Sequence, residues 1–197
     1  DSGFELERVR LAGLDARIDL GQGELDRAKG VFESALEKAR DLPETTETRD
    51  LVVELLNQKI VVEQRLGHLE ASLASATEAF ERMGEHGDPV LLGRLHQAAA
   101  QVYEGLRDLE GARRETELAI RYAQQVNNPT ALASRYMNLC TYEMRLGQTE
   151  AAKQSLVRAD HFLSNSRARW LGVPLYITQL HVAVRSDDLQ LLQDGLA

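Results

Sequence analysis

The stretch Leu139-Cys140-Thr141-Tyr142-Glu143-Met144-Arg145-Leu146-Gly147-Gln148-Thr149-Glu150-Ala151-Ala152, followed by Leu156 and Ala159, decides the fold. Its small residue Ala152 has counterparts at Ala112 and Ser72 in steps of forty residues, and at Ala28, forty-four before Ser72. Leu192 lies forty after Ala152. A period of this length marks stacked supersecondary units, none of which can bury its apolar face alone. Each unit then contacts mainly its neighbours, as in a solenoid.

The same period appears in the punctuation. Thr48, Asp88 and Asn128 are spaced forty apart and suit helix N-caps, because their side-chain oxygens can accept from unpaired backbone amides. Pro89 and Pro129 follow at the first helical position, where no N–H is required. Ser2 with Glu5 has the form of a capping box. Ser164 or Ser166 is expected to cap the last unit, where Ala168 stands in the equivalent slot. Gly23, Gly67 and Gly147 fall at the tight turns inside the pairs, where glycine tolerates a left-handed backbone. Arg107 and Asp187 occupy that slot in the third and fifth pairs.

These signals predict an all-α chain of ten helices in five antiparallel pairs. The expected spans are 3–20 and 24–41, 48–66 and 69–84, 88–106 and 109–126, 129–146 and 149–163, then 167–185 and a helix starting near 188. The repeats therefore cover about 3–41, 48–84, 88–126, 129–163 and 167–197. Connectors such as Gly84-Glu85-His86-Gly87 are too short to be domain linkers, so residues 1–197 read as one domain. Ala, Leu, Glu, Arg and Gln dominate, and these lose little side-chain entropy in a helix.

A formal charge of −8 argues against general nucleic-acid affinity, which depends on cationic neutralisation of phosphate. No apolar run approaches the roughly 20 residues that span a bilayer, and no polybasic stretch serves a membrane surface. Cys140 is the lone cysteine, so no internal disulfide can form and a reducing, cytoplasmic setting is expected. The chain opens on Asp1 rather than Met, from which a piece of a longer protein is expected.

The residues carrying the period resemble tetratricopeptide (TPR) repeats over the whole chain. Tyr136 and Tyr176 take the bulky slot of the first helix of a pair, with His96, Leu56 and Ala12 as weaker matches. Ala16, Ala100 and Cys140 take its small slot, and Tyr103 its mid-helix tyrosine. Ala28, Phe32 and Ala35, then Ala152, Leu156 and Ala159, give the second-helix signature. The family unit has 34 residues; the forty-residue unit here is similar to the sensor domains of MalT-like bacterial regulators and to scaffolds that orient cell-polarity partners. The resemblance implies a right-handed α-α superhelix that binds protein or peptide on its concave face.

That face is expected to carry Arg10, Arg17, Asn57, Arg65, Arg94, Gln97, Gln101, Asn138, Thr141, Arg145, His181 and Arg185, among other first-helix positions. Its six arginines face only Glu54 and Glu104, a balance that suits an acidic or phosphorylated partner. The carboxylate clamp of chaperone-binding members needs Lys and Asn at set positions. Asn57 with Val61, then Gln97 with Gln101, do not reproduce it.

Catalytic constellations are not in evidence. His68, His86, His96, His161 and His181 never pair with each other or Cys140 at helical metal-ligand spacing. Cys140 fits a buried packing slot. Trp170 is expected to pack against the second helix of the fourth pair, and the leucine-rich end Asp188–Ala197 to continue the repeat or pair with a second copy. The reading is a non-catalytic, cofactor-free protein- or peptide-binding module of a multidomain bacterial signalling or transcription regulator, with a small-molecule effector as a further ligand class. The second reading is a stand-alone scaffold that brings two proteins together. A sensor of small molecules should have a closed, partly apolar pocket in the inner curve near Met137, Met144 and His181; a peptide scaffold should have an open polar groove running across several repeats.

Overall fold

A computed structural model of the chain describes residues 2–84, 87–166 and 168–186, and every regular element among them is helical. The elements are α1 (Ser2–Gln22), α2 (Leu25–Arg40), α3 (Thr46–Arg65), α4 (Leu69–Met83), α5 (Pro89–Gly105), α6 (Leu109–Gln125), α7 (Pro129–Arg145), α8 (Thr149–Ser164) and α9 (Gly172–Ser186). A 3-10 turn, Arg169–Leu171, precedes α9. The chain divides into two compact units, Asp1–Arg107 and Asp108–Ala197.

In the first unit α1 pairs with α2 and α3 with α4, α2 packs on α3, and α5 packs on both α3 and α4. In the second, α7 pairs with α8, α6 packs on α7, and α9 lies on α8 and α7. The small residues of the repeat explain how the pairs close. Ala28, Ser72, Ala112 and Ala152 are all fully buried, as are Ala16, Ala100 and Cys140. Ser72 is the polar member of this set, and its hydroxyl donates to the Ile60 carbonyl on the facing helix at 2.9 Å. Phe32, Ala35, Leu156 and Ala159 line the same seams and are buried as expected. Tyr136 stacks on Phe162 with ring centroids 5.7 Å apart.

Helix ends follow the sequence in most places. Asp88 accepts from the Val90 and Leu91 amides, and Asn128 from the Ala131 amide. Gly23, Gly67 and Gly147 have φ of 87°, 79° and 77°, and Arg107 takes the same left-handed turn at 65°. After each of these glycines the chain closes in the same way. The amides of Glu24, His68 and Gln148 reach back to the carbonyls of Asp19, Glu63 and Glu143, satisfying the last turn of the preceding helix.

Three expectations need correction, and others lie outside the described residues. The cap of α3 is Thr45, not Thr48: extended Thr45 accepts from the Thr48 amide, so the helix starts earlier and Thr48 is buried within it. The fifth pair does not begin at 167; the Ser166 hydroxyl accepts from the Ala168 amide, a 3-10 turn follows, and the α-helix starts at Gly172. Trp170 sits on that turn 70% exposed rather than packed in the core. The Ser2 side chain, Asp187, Leu192 and the segment 188–197, including the proposed pairing end, lie outside the described residues.

Enlarging a crossing residue should be costly, since no space is left beside it. Ala152→Leu is expected to lower unfolding stability by about 1–3 kcal/mol, and Asp88→Ala by about 1 kcal/mol through loss of a cap. Ser72→Ala, which removes a hydroxyl without leaving a helix unpaired, should stay within about 1 kcal/mol. Urea melts of the three variants give that order directly.

Candidate functional site

On α1, Arg10, Gly13, Leu14 and Arg17 follow the i, i+3, i+4, i+7 spacing that places side chains on one helical face. On α3 the matching row is Glu47, Asp50, Leu51, Glu54, Leu55 and Gln58. Together with Leu91 of α5 these rows line a cleft of about 590 Å³ within the first unit, a size typical of ligand sites. Its floor is apolar: Leu51 and Leu55 are buried, whereas Leu14 is half exposed. The two helices approach closely there, and a Cβ on Gly13 would stand 2.8 Å from Leu55 Cδ2.

The charges at the rim are largely committed. Arg10 bonds Glu47 and, at 3.1 Å, Glu7. Arg49 holds Asp50 at 2.8 Å, and Arg94 stands 3.9 Å from Glu54. Among the described residues Arg17 makes no ion pair, although it lines the cleft and is exposed. The site therefore offers an apolar floor beside one uncommitted guanidinium, with three carboxylates already partnered by arginine.

A second cleft, of about 480 Å³, lies between α7 and α9 in the second unit. Thr141, Met144 and Arg145 contribute from α7, and Ile177, His181, Val184 and Arg185 from α9. Its lining is mostly apolar, with Ile177, Leu180, Val182 and Val184 beside Met144, and it includes the Met144 and His181 expected of a sensor pocket. Met137 does not line it and is buried elsewhere in the core of this unit.

Of the residues expected to bind, Arg10 and Arg17 meet in the first cleft, and Thr141, Arg145, His181 and Arg185 in the second. The others line neither. Arg65 donates to the Leu20 carbonyl at 2.9 Å and so ties down the last turn of α1. The Gln101 carbonyl accepts from Gln64. Asn57 and Gln97, one repeat apart, are half-buried with the Asn57 Oδ1 and both Gln97 amide atoms lacking a hydrogen-bond partner. Arg94 is exposed near Glu54, and Asn138 is half-buried in α7. Sequence reading missed Glu47 and Asp50, because an α3 starting at 48 leaves Glu47 outside the helix. It also missed Leu14, Leu51 and Leu91, whose apolar character reads as core.

Cys140 is buried in the crossing of its pair; burial, and then the Glu143 carboxyl beside it, push its thiol up to about 12. That environment suits packing rather than nucleophilic or redox chemistry.

No family model matches the chain, and no curated protein matches it by sequence. Solved structures do match its fold. BtubC (BKLC) from P. vanneervenii superposes with a TM-score of 0.80 at 18% identity, over 98% of this chain and 85% of that one. The apo form of RapI superposes with a TM-score of 0.80 at 13% identity, over 97% of this chain and 52% of RapI, so the chain spans about half the length of that protein. At this level of identity the likeness establishes the fold, an α-α solenoid shared with helical-repeat proteins.

Two outcomes follow from this geometry. Cys140 should resist alkylation in the native protein at pH 8 and react fully once the chain is unfolded in guanidinium. Because the folded thiol keeps its proton up to about 12 against an ordinary 9.0, the unfolded chain loses it first, and stability should fall as pH rises through that window. Arg65→Met should cost about 1 kcal/mol, the worth of one hydrogen bond, visible as faster amide exchange at the end of α1.

Proposed function

We propose that the chain is a non-catalytic, TPR-like protein-binding module with repeats of about forty residues. In this reading residues 1–197 act as one repeat domain inside a larger cytoplasmic signalling or transcription regulator of bacterial type. The observation that carries the binding role is the cleft on α1, α3 and α5, where a leucine floor adjoins the unpaired Arg17. Such a surface fits an extended or helical segment that presents apolar side chains next to an Asp or Glu. Arg17 would meet the carboxylate in a charge-assisted bond while the leucines desolvate around the apolar residues. The likeness to helical-repeat proteins, one of them described in an apo form, supports a binding role for this scaffold without supplying the partner.

The second cleft favours an additional reading. Its floor is also largely apolar (Met144, Ile177, Leu180 and Val184), but its polar groups are Arg145, His181 and Arg185 rather than paired carboxylates. Two unlike clefts on one chain suit an adaptor that holds two ligands, one of which can be a small effector.

Selection of a displayed random peptide library against the whole chain tests the primary reading. Enrichment of sequences with an acidic residue beside Leu or Phe is the expected outcome. Arg17→Glu should weaken the selected peptides about tenfold or more, given roughly 1.5–3 kcal/mol for a bond to a charged group. Arg145→Glu, in the other cleft, should leave them unchanged. Peptides without acidic bias, or equal binding by Arg17→Glu, would remove the cleft from consideration.

A further inference from the structure

Each unit buries a glutamate at the same place in its pair, and the two are partnered differently. In the first unit Glu63 is 1% exposed near the end of α3. Lys59, one turn earlier, bonds Glu63 Oε1; Ser75 of α4 donates to Oε2 at 2.9 Å, and the lysine also donates to Ser75 Oγ at 3.0 Å. The ammonium, the carboxylate and the hydroxyl form a closed triangle, which is how an ion pair survives burial. Eighty residues on, Glu143 and Ser155 repeat the pair on α7 and α8. The position of Lys59, however, is held by Leu139.

The consequence is visible at the carboxyl. Glu143 is 7% exposed, and its Oε2 has no hydrogen-bond partner. Burial pushes it up from the ordinary carboxylate range against the Ser155 hydrogen bond that favours its ionised form, with Glu117 adding to the rise and Arg113 and Arg158 opposing it. The surroundings correspond in position, although Glu78 of the first cleft becomes Arg158 in the second and Leu56 becomes Tyr136. A cleft lined by Glu37, Leu56, Lys59 and Glu78 in the first unit corresponds, eighty residues later, to one of about 200 Å³ lined by Glu117, Tyr136, Leu139 and Arg158 in the second. Glu143 and Ser155 line this second cleft as well.

We propose that the cleft bounded by α6, α7 and α8 binds a primary alkylammonium group, supplied by a lysine side chain of a partner or by a free amine, between Glu143 and Ser155. The ammonium stands where Lys59 Nζ stands in the first unit. Its methylene stem lies along Ile120, Tyr136 and Leu139, as lysine stems lie along apolar surface. Arg158 does not fill the place: its guanidinium carbon sits 5.6 Å from the Tyr136 ring centroid, over the face of that ring. Glu117 of α6, which also lines the cleft, is bonded through Oε1 to Arg113 of the same helix at 2.6 Å, whereas the buried Oε2 of Glu143 has no partner. The Cys140 thiol beside Glu143 stays protonated. Because the ammonium favours ionised Glu143, its uptake displaces whatever proton the empty carboxyl holds, and binding strengthens as pH rises through the raised titration of Glu143.

The test titrates the whole chain at fixed ionic strength with n-butylammonium and with Nα-acetyl-lysine N-methylamide. Tetramethylammonium, which has the charge and no N–H donors, is the control. The 13C resonance of the Glu143 carboxyl, assigned by its loss in Glu143→Gln, reports occupancy. A saturable shift with the two primary ammonium probes, absent with tetramethylammonium and weakened at least tenfold in amide-shift titrations of Glu143→Gln, is the expected result. Tighter binding of the lysine derivative assigns the source to a partner's lysine, and tighter binding of butylammonium assigns it to a free amine. Leu139→Lys should close the site from within, removing the response and raising the thermal midpoint. If that variant does not fold, the comparison of wild type with Glu143→Gln still decides. Equal responses in those two proteins, or saturation by tetramethylammonium, would overturn the proposal.

Discussion

Two helices can lie close together along a turn and a half only where one of them has nothing to interpose. In this chain that requirement falls on Ala28, Ser72, Ala112 and Ala152, each with no exposed surface. Everything larger in the pair is arranged around them: Phe32 and Leu156 fill the space one turn on, and Ala35 and Ala159 restore the close approach. A methylene added at such a point has no void to enter, because interiors are already packed to crystal-like density. The spacing of these small residues is therefore the strongest constraint in the sequence, and the helix ends are tuned to it.

The turns transmit that constraint to the cleft-lining faces. A left-handed residue after α1, α3 and α7 lets the next amide reach back to a carbonyl five residues earlier. This closure fixes where the second helix starts and hence which of its residues meets the first. It also fixes the phase of the first helix, because the reaching amide selects a particular turn. The faces left over, Arg10 to Arg17 on α1 and Thr141 to Arg145 on α7, are the ones that line clefts. Cleft-lining residues are thus specified indirectly, by what the packing residues do not use.

That indirectness explains what the sequence could disclose. Small residues, glycine turns and the Asp88 and Asn128 caps are local signals with one physical reading each, and they place the helices of the described residues to within a few positions. Thr48 misled because Thr45 offers the same hydroxyl three residues earlier in an extended backbone, and the choice between them depends on burial of Thr48. Arg65 looked like a ligand contact and is instead spent on the Leu20 carbonyl, a bond spanning two helices that no local pattern announces. The apolar cleft floor was hidden for a similar reason. Leu14, Leu51 and Leu91 look alike in sequence, and only tertiary placement decides whether a leucine faces a neighbour or an opening.

Repetition also lets one niche be compared with itself. Glu63 and Glu143 occupy the same register, each with a serine twelve residues later, so their backbone placement and their hydroxyl donor are held constant. What differs one turn upstream is lysine in one copy and leucine in the other, and at the cleft wall Leu56 and Glu78 give way to Tyr136 and Arg158. A buried carboxylate without a directly bonded cation is costly; Arg113 and Arg158 favour the ionised Glu143 through their charge, while its Oε2 has no hydrogen-bond partner. An apolar residue of similar volume at position 143 would remove the orphaned oxygen and the desolvation of the charge together. Leucine at 139 and glutamate at 143 make physical sense as a pair when the bonded cation arrives from outside the chain.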